Sequence, residues 1–189
     1  GQDQLLPETA PQLILLFHPY TPPPERYYTK GMRALTTNLL RIIPGVKTTN
    51  YMPAIFAMNR AKKTGFDDAI YLNGQEELLE GTISNLFFFK NGKLITSDSN
   101  SIVKGVTRAI LLQLAAPYFP IEFRSLPLSE VSSCQEAFLC SSRKEVAPLV
   151  QIDDKIIGSG KPGPCSAKLL SLFQNYVANY FAETHQPSC

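Results

Sequence analysis

The spacing of apolar and polar positions changes several times along the chain, and each change predicts an element. Leu13 to Tyr20 (LILLFHPY) is a nearly unbroken apolar run and predicts a buried strand. TPPPER after it predicts a stiff, extended connector, since each proline fixes φ and removes a donor. Residues 31–45 (GMRALTTNLLRIIPG) read as strand-like. A helix is expected from about Asn50 to Thr64. Thr49 or Asn50 can cap it, and Pro53 falls in its first turn. Met52, Ile55, Phe56 and Met58 belong to its apolar face, and Gly65 suits the position just past its end.

DDAIYLN (67–73) predicts the next strand. The clearest local pattern is LFFFK and KLITS on either side of Asn91-Gly92, which predicts a type I′ hairpin whose first strand is buried on both faces. KGVTRAILLQLAAPYF (104–119) predicts a second helix with Val106, Ile110, Leu111 and Leu114 on one stripe. Residues 136–160 predict three short strands with a tight corner at Ser141 to Lys144. An amphipathic helix with Leu169, Leu172, Phe173, Tyr176, Val177 and Tyr180 on its stripe closes the chain. The pattern describes an α+β fold: a mixed sheet, three or four helices and one core.

Composition narrows the function classes. A chain of 189 residues, 44% of them hydrophobic, supports one domain with a substantial core. The net charge of +2 comes without any dense basic run, which argues against a nucleic-acid partner. No apolar stretch approaches the ~20 residues of a membrane span. The opening GQDQLLPETAPQ lacks the basic region and apolar core of a signal peptide. Cys134, Cys140, Cys165 and Cys189 show no CxxC spacing, so reduced thiols and a cytoplasmic location are expected. His18 and His185 stand apart from any serine or cysteine motif, which disfavours a hydrolase triad.

Four short motifs carry candidate chemistry, and each has an ordinary reading beside the functional one. GSGKPG (158–163) has the letters of a dinucleotide fingerprint, but Pro162 and Pro164 delay the helix and no second strand follows, so it reads as a turn. A phosphate loop fails too, because Pro162 stands where Ser or Thr must reach Mg²⁺. GVTR (105–108) opens a helix, either as an ordinary start or as a phosphate seat made of free amides and the Thr107 hydroxyl. SSR (141–143), at a strand corner, can add hydroxyls to the same anion. EGTISN (80–85) ends a strand with Glu80, either a surface carboxylate or a buried one facing a cationic ring nitrogen. Lys47 lies between an apolar run and a helix start. Its ordinary reading is a snorkelling lysine; its functional one is an amine kept neutral by apolar surroundings, the nucleophile of a Schiff base.

Taken in order, these motifs resemble the class IV aminotransferases, the fold-type IV pyridoxal-phosphate enzymes. That family includes D-amino acid transaminase, branched-chain transaminase and aminodeoxychorismate lyase. The landmarks are K-x-x-N at Lys47 to Asn50, E-G-x-x-x-N at Glu80 to Asn85, the Asn-Gly hairpin, and G-[IV]-T-R at Gly105 to Arg108. E-x-F-L-x-[SG]-[ST]-x-x-E-[IV]-x-P follows at Glu136 to Pro148, and G-x-G-K-P-G-P at Gly158 to Pro164.

The resemblance implies a mixed-sheet pseudo-barrel with surrounding helices, as in the family's large domain. It implies that Lys47 carries pyridoxal 5′-phosphate, that Glu80 pairs with the pyridine nitrogen, and that Gly105, Val106, Thr107 and Ser142 hold the phosphate. Tyr51 and Arg143 would face substrate. No metal is implied. The implied activity moves an amino group between an amino acid (D- or branched-chain) and a 2-oxo acid, in a homodimer. A lyase releasing pyruvate from aminodeoxychorismate, and a catalytically silent large domain, are the alternatives.

Two departures stand out. Residues 1–26 would be only a remnant of the family's small N-terminal domain plus the interdomain linker, leaving 27–189 as the large cofactor-binding domain. The chain would then be a fragment or a natural truncation, without the small domain's phosphate-gripping arginine. Arg143 stands where the family commonly has a small residue, and its guanidinium can either bind a carboxylate or block the site.

Overall fold

The computed structural model describes residues 13–184. In chain order the elements are α1 (Arg26–Thr29), β1 (Met32–Thr37), α2 (Met52–Lys63), β2 (Asp68–Leu72), β3 (Glu77–Gly81), β4 (Ser84–Lys90) and β5 (Lys93–Thr96). Then come α3 (Val106–Ala115), β6 (Ile121–Phe123), β7 (Leu126–Pro127), a 3-10 turn over Leu128–Ser133, β8 (Glu136–Ser141), β9 (Glu145–Ile152), β10 (Lys155–Ile156) and α4 (Pro164–Thr184).

The strands form one mixed sheet that closes on itself. β1 runs parallel to both β2 and β9. The remaining contacts of the ring, β2–β3, β3–β4, β4–β8 and β8–β9, are antiparallel. The result is a closed six-stranded barrel with extra strands and helices, in line with the expected mixed-sheet pseudo-barrel. β5 and β6 extend the sheet beyond β4, β7 pairs with β3, and β10 pairs with β9.

Alternation along each strand sorts side chains into two layers. Met32, Ile70, Leu78, Leu86, Leu139 and Leu149, one from each ring strand, belong to the cluster that fills the barrel. Phe87, Phe89, Phe138 and Val146 point outward into a second cluster, where Leu111 of α3 and Leu169 and Phe173 of α4 cover them. Phe87 and Phe138 stack with centroids 4.8 Å apart. β4 is therefore buried on both faces, as its apolar run predicts. Asn91 and Gly92 both take positive φ, 51° and 74°, and Lys90 faces Lys93, so the type I′ hairpin is present. GSGKPG is a turn ahead of α4.

Several expectations are corrected. Residues 13–20 form no strand and are exposed, with Phe17 at 90%. A strand needs a partner for its ladder, and among the described residues none pairs with this run. α2 begins two residues later than expected, at Met52, and turns its small residues inward: Ala57 and Ala61 pack with Ala69 of β2. Met52, Ile55 and Phe56 are more than half exposed. Close approach of helix to strand needs small side chains, and that requirement overrides the apolar stripe. α3 is likewise rotated: it buries Thr107, Arg108, Leu111 and Ala115, while Val106 is exposed. Of the α4 stripe, Leu169 and Phe173 are buried, whereas Tyr176 and Tyr180 face solvent and stack on each other. His185 and Cys189 lie outside the described residues.

The alanine contact of α2 leads to a stability prediction. Ala61→Leu should cost about 1–3 kcal/mol by overpacking, while Ile55→Ala should change stability by no more than about 0.5 kcal/mol. Urea unfolding midpoints check both. The reverse ranking would show that α2 packs through its Ile55 face.

Candidate active site

At one mouth of the barrel a cleft of about 410 Å³ is bounded by four pieces of chain. Glu80, at the end of β3, supplies one wall and is 2% exposed. Gly81 lets the next turn fold tightly onto it, because a Cβ there would meet Ser84 Oγ at 2.4 Å. β3 and β4 then pair through Glu80↔Asn85 and Gly81↔Ser84.

Glu80 is held from three directions. Arg41 Nε donates to Oε1 at 2.7 Å; the Val103 N–H and Asn85 Nδ2 donate to Oε2 at 3.1 and 3.4 Å. Burial pushes this carboxyl above its usual range, with the Arg41 contact and the Val103 N–H opposing the rise. Arg41 also donates to the Thr82 carbonyl at 3.0 Å.

Asn85 joins this wall to the second one, the start of α3. Its Nδ2 donates to the Val103 carbonyl at 2.7 Å, and its Oδ1 accepts from the Gly105 N–H at 3.3 Å. A Cβ on Gly105 would approach that Oδ1 to 2.7 Å, so glycine is required by contact rather than by φ. Gly105 is the N-cap and offers no side-chain hydrogen bond, leaving the first-turn amides of Val106 and Thr107 for an anion. The corner between β8 and β9 brings Ser141 and Ser142 to the third side.

Lys47 and Tyr51 form the fourth side, with Lys47 Nζ donating to the Tyr51 hydroxyl at 3.2 Å. Lys47 is exposed rather than set in apolar surroundings, and so are its neighbours Val46, Thr49 and Asn50 in the segment before α2. Cys140 also reaches the cleft, but burial pushes its thiol up to about 12, which removes it as a nucleophile at neutral pH.

The structure thus brings Lys47, Tyr51, Glu80, Gly105, Val106, Thr107 and Ser142 to one cleft. Arg143 lies outside it, in a neighbouring hollow of about 220 Å³ that shares Ile83 and Ser141 with the cleft. There its Nη2 donates to the Thr21 carbonyl at 2.8 Å. Arg108 turns away, giving its guanidinium to the Ser97 carbonyl at 2.8 Å. Sequence reasoning gave no role to Arg41, Asn85 or Lys104, which also lines the cleft. Asn85 closes the E-G-x-x-x-N motif and was within reach; Arg41 and Lys104 carried no pattern.

A family model described as amino-transferase class IV matches residues 1–152. The chain belongs to the class IV amino-transferase family. It is 36% identical over 130 residues to a probable branched-chain-amino-acid aminotransferase of Aquifex aeolicus, a match covering 67% of this chain and 42% of the relative. A D-alanine aminotransferase of Staphylococcus aureus is 26% identical over 177 residues, covering 92% of this chain and 62% of its own. The solved branched-chain amino acid aminotransferase of Thermobaculum terrenum, in its PLP form, has a TM-score of 0.74 at 30% identity, over 81% of this chain and 53% of that one. The chain spans about half the length of the curated relatives it matches.

The donor set fits a pyridoxal phosphate of this family: an amine, a buried carboxylate at the far wall, and uncapped amides with hydroxyls at the anion end.

Glu80 gives this subsection its prediction. Its raised carboxyl means the folded chain holds the proton more tightly than the unfolded one. Its contribution to stability is therefore full below the ordinary glutamate value and lost as pH rises through the folded value. Glu80→Gln removes that dependence. Its destabilising effect should shrink from about pH 4 to about pH 7 in urea unfolding. A penalty that grows with pH would show that Arg41 outweighs burial.

Proposed function

We propose that this chain is the cofactor-binding part of a pyridoxal-phosphate-dependent transaminase that moves an amino group between an amino acid, D- or branched-chain, and a 2-oxo acid. The observation that carries this reading is the arrangement of a lysine, a buried carboxylate and an uncapped helix start around one cleft. Pyridoxal 5′-phosphate is the cofactor; when bound it supplies an aldehyde carbon and an electron-withdrawing ring.

The chain's own residues do the rest. Lys47 would be the amine that holds the cofactor's aldehyde carbon, and the same amine would move the proton at the substrate Cα. The Tyr51 hydroxyl, 3.2 Å from Nζ, fixes where that amine points. Glu80, held by Arg41 and the Val103 N–H, would pair with the ring nitrogen and keep its proton in place. The amides of Val106 and Thr107, the Thr107 hydroxyl and Ser142, which line one cleft, would hold the phosphate. Asn85 ties the carboxylate wall to the phosphate wall. Arg143, exposed in the neighbouring hollow, would have to leave the Thr21 carbonyl to meet a substrate carboxylate.

In this reading residues 27–189 are the large domain, and 1–26 hold the interdomain linker with a remnant of the small one. A homodimer is the proposed assembly. Its support is the exposed apolar side chains of Ile42, Ile43, Met52, Ile55 and Phe56, which a partner surface would take out of water.

Reductive trapping tests the site. With pyridoxal 5′-phosphate and borohydride, peptide mapping should place the label on Lys47. A label on Lys104, which lines the same cleft, or on Lys30, Lys62 or Lys161, would refute the assignment.

A further inference from the structure

Beneath the β8–β9 corner lies an ion pair that the chemistry above does not use. Lys144 Nζ sits 2.5 Å from Asp68 Oδ2, with side-chain exposures of 9% and 0%. Thr82 donates its hydroxyl to Asp68 Oδ1 at 2.6 Å, and Lys144 Nζ is also 3.4 Å from Ser84 Oγ. The Lys144 backbone is fixed as well: its N–H donates to Ser141 Oγ at 3.1 Å, and the Tyr28 hydroxyl donates to its carbonyl at 3.0 Å. Burial pushes that phenol up to about 12, so it stays a neutral donor.

A buried ion pair is a poor device for stability, since apolar residues of similar size often do as well or better. What this pair does supply is geometry. Lys144 ends the corner whose Ser141 and Ser142 line the cleft. Its side chain crosses to the start of β2 and to the β3–β4 turn, one residue from Asn85, which holds both Glu80 and Gly105.

We propose that Lys144 is a positioning residue: through Asp68 and Ser84 it locks the Ser141–Ser142 corner to the turn between Glu80 and Asn85, and so fixes the phosphate end of the cleft relative to the ring-nitrogen end. This rests on the cofactor site proposed above. Loss of the lock lets the corner drift, and the Ser142 hydroxyl no longer reaches the phosphate. The expected cost is one hydrogen bond's worth of affinity, roughly three- to tenfold.

The test separates position from stability. The dissociation constant for pyridoxal 5′-phosphate is measured by absorbance titration, that for inorganic phosphate by competition, and the urea midpoint alongside, all on the full chain. Lys144→Met should lower the midpoint and weaken both ligands, because it strands the Asp68 carboxylate. The double variant Asp68→Asn with Lys144→Met should recover the midpoint while still binding both ligands roughly three- to tenfold more weakly than wild type. Wild-type affinity in that double variant would make the pair merely structural and overturn the proposal. If neither variant folds, Tyr28→Phe decides: weaker phosphate binding supports the lock and unchanged binding overturns it. A wild-type chain that takes up neither ligand would sink the cofactor reading, and the lock with it, whereas retention by the double variant sinks the lock alone.

Discussion

The pairing of two residues of β3 with two of β4 closes the barrel, and the functional reading depends on it. Glu80↔Asn85 and Gly81↔Ser84 are its only registered partners, and the intervening turn is tight enough that Gly81 admits no side chain. Beyond this short contact the two strands part: β4 continues against β5, and the far end of β3 pairs with β7. The sheet therefore closes at one end only, and the residues of the closure stand at the mouth. Glu80 is buried because it belongs to the seam. Asn85, across from it, is free to hold the start of α3.

That geometry explains how one short motif can serve both ends of a cofactor. The carboxylate would meet the ring, while the amide side chain of the same seam sets Gly105 and the helix start that would meet the phosphate. The cost is desolvation of Glu80, offset in part by Arg41 and one backbone N–H. The fold supplies fixed partners in place of water, which is the condition for electrostatic preorganisation.

Features written in local chemistry were legible in the sequence. The Asn91-Gly92 turn, the double-sided burial of β4, the start of α3 and the corner at Ser141 to Lys144 follow from spacing and residue type alone. Features set by packing partners were not. The run 13–20 is apolar enough for a strand yet pairs with no neighbour among the described residues. α2 shows an apolar stripe but packs through alanines, because small side chains on both sides let the helix lie close to Ala69 of β2. Lys47 was expected in apolar surroundings and is exposed, while Arg41 and Lys144 find their carboxylates in distant parts of the chain, which no window of sequence displays. The candidate site residues came from the order of several motifs, since each alone had a more ordinary reading.

The central claim is that this mouth seats pyridoxal 5′-phosphate with its ring nitrogen at Glu80 and its phosphate at Gly105 to Thr107. A crystal structure of the chain grown with pyridoxal 5′-phosphate tests it most directly. The account predicts cofactor density continuous with Lys47, a Glu80 oxygen at hydrogen-bond distance from the ring nitrogen, and the phosphate against the Val106 and Thr107 amides. A cofactor held elsewhere, or one seated with its ring nitrogen in solvent and Glu80 bonded only to Arg41, Val103 and Asn85, would contradict it.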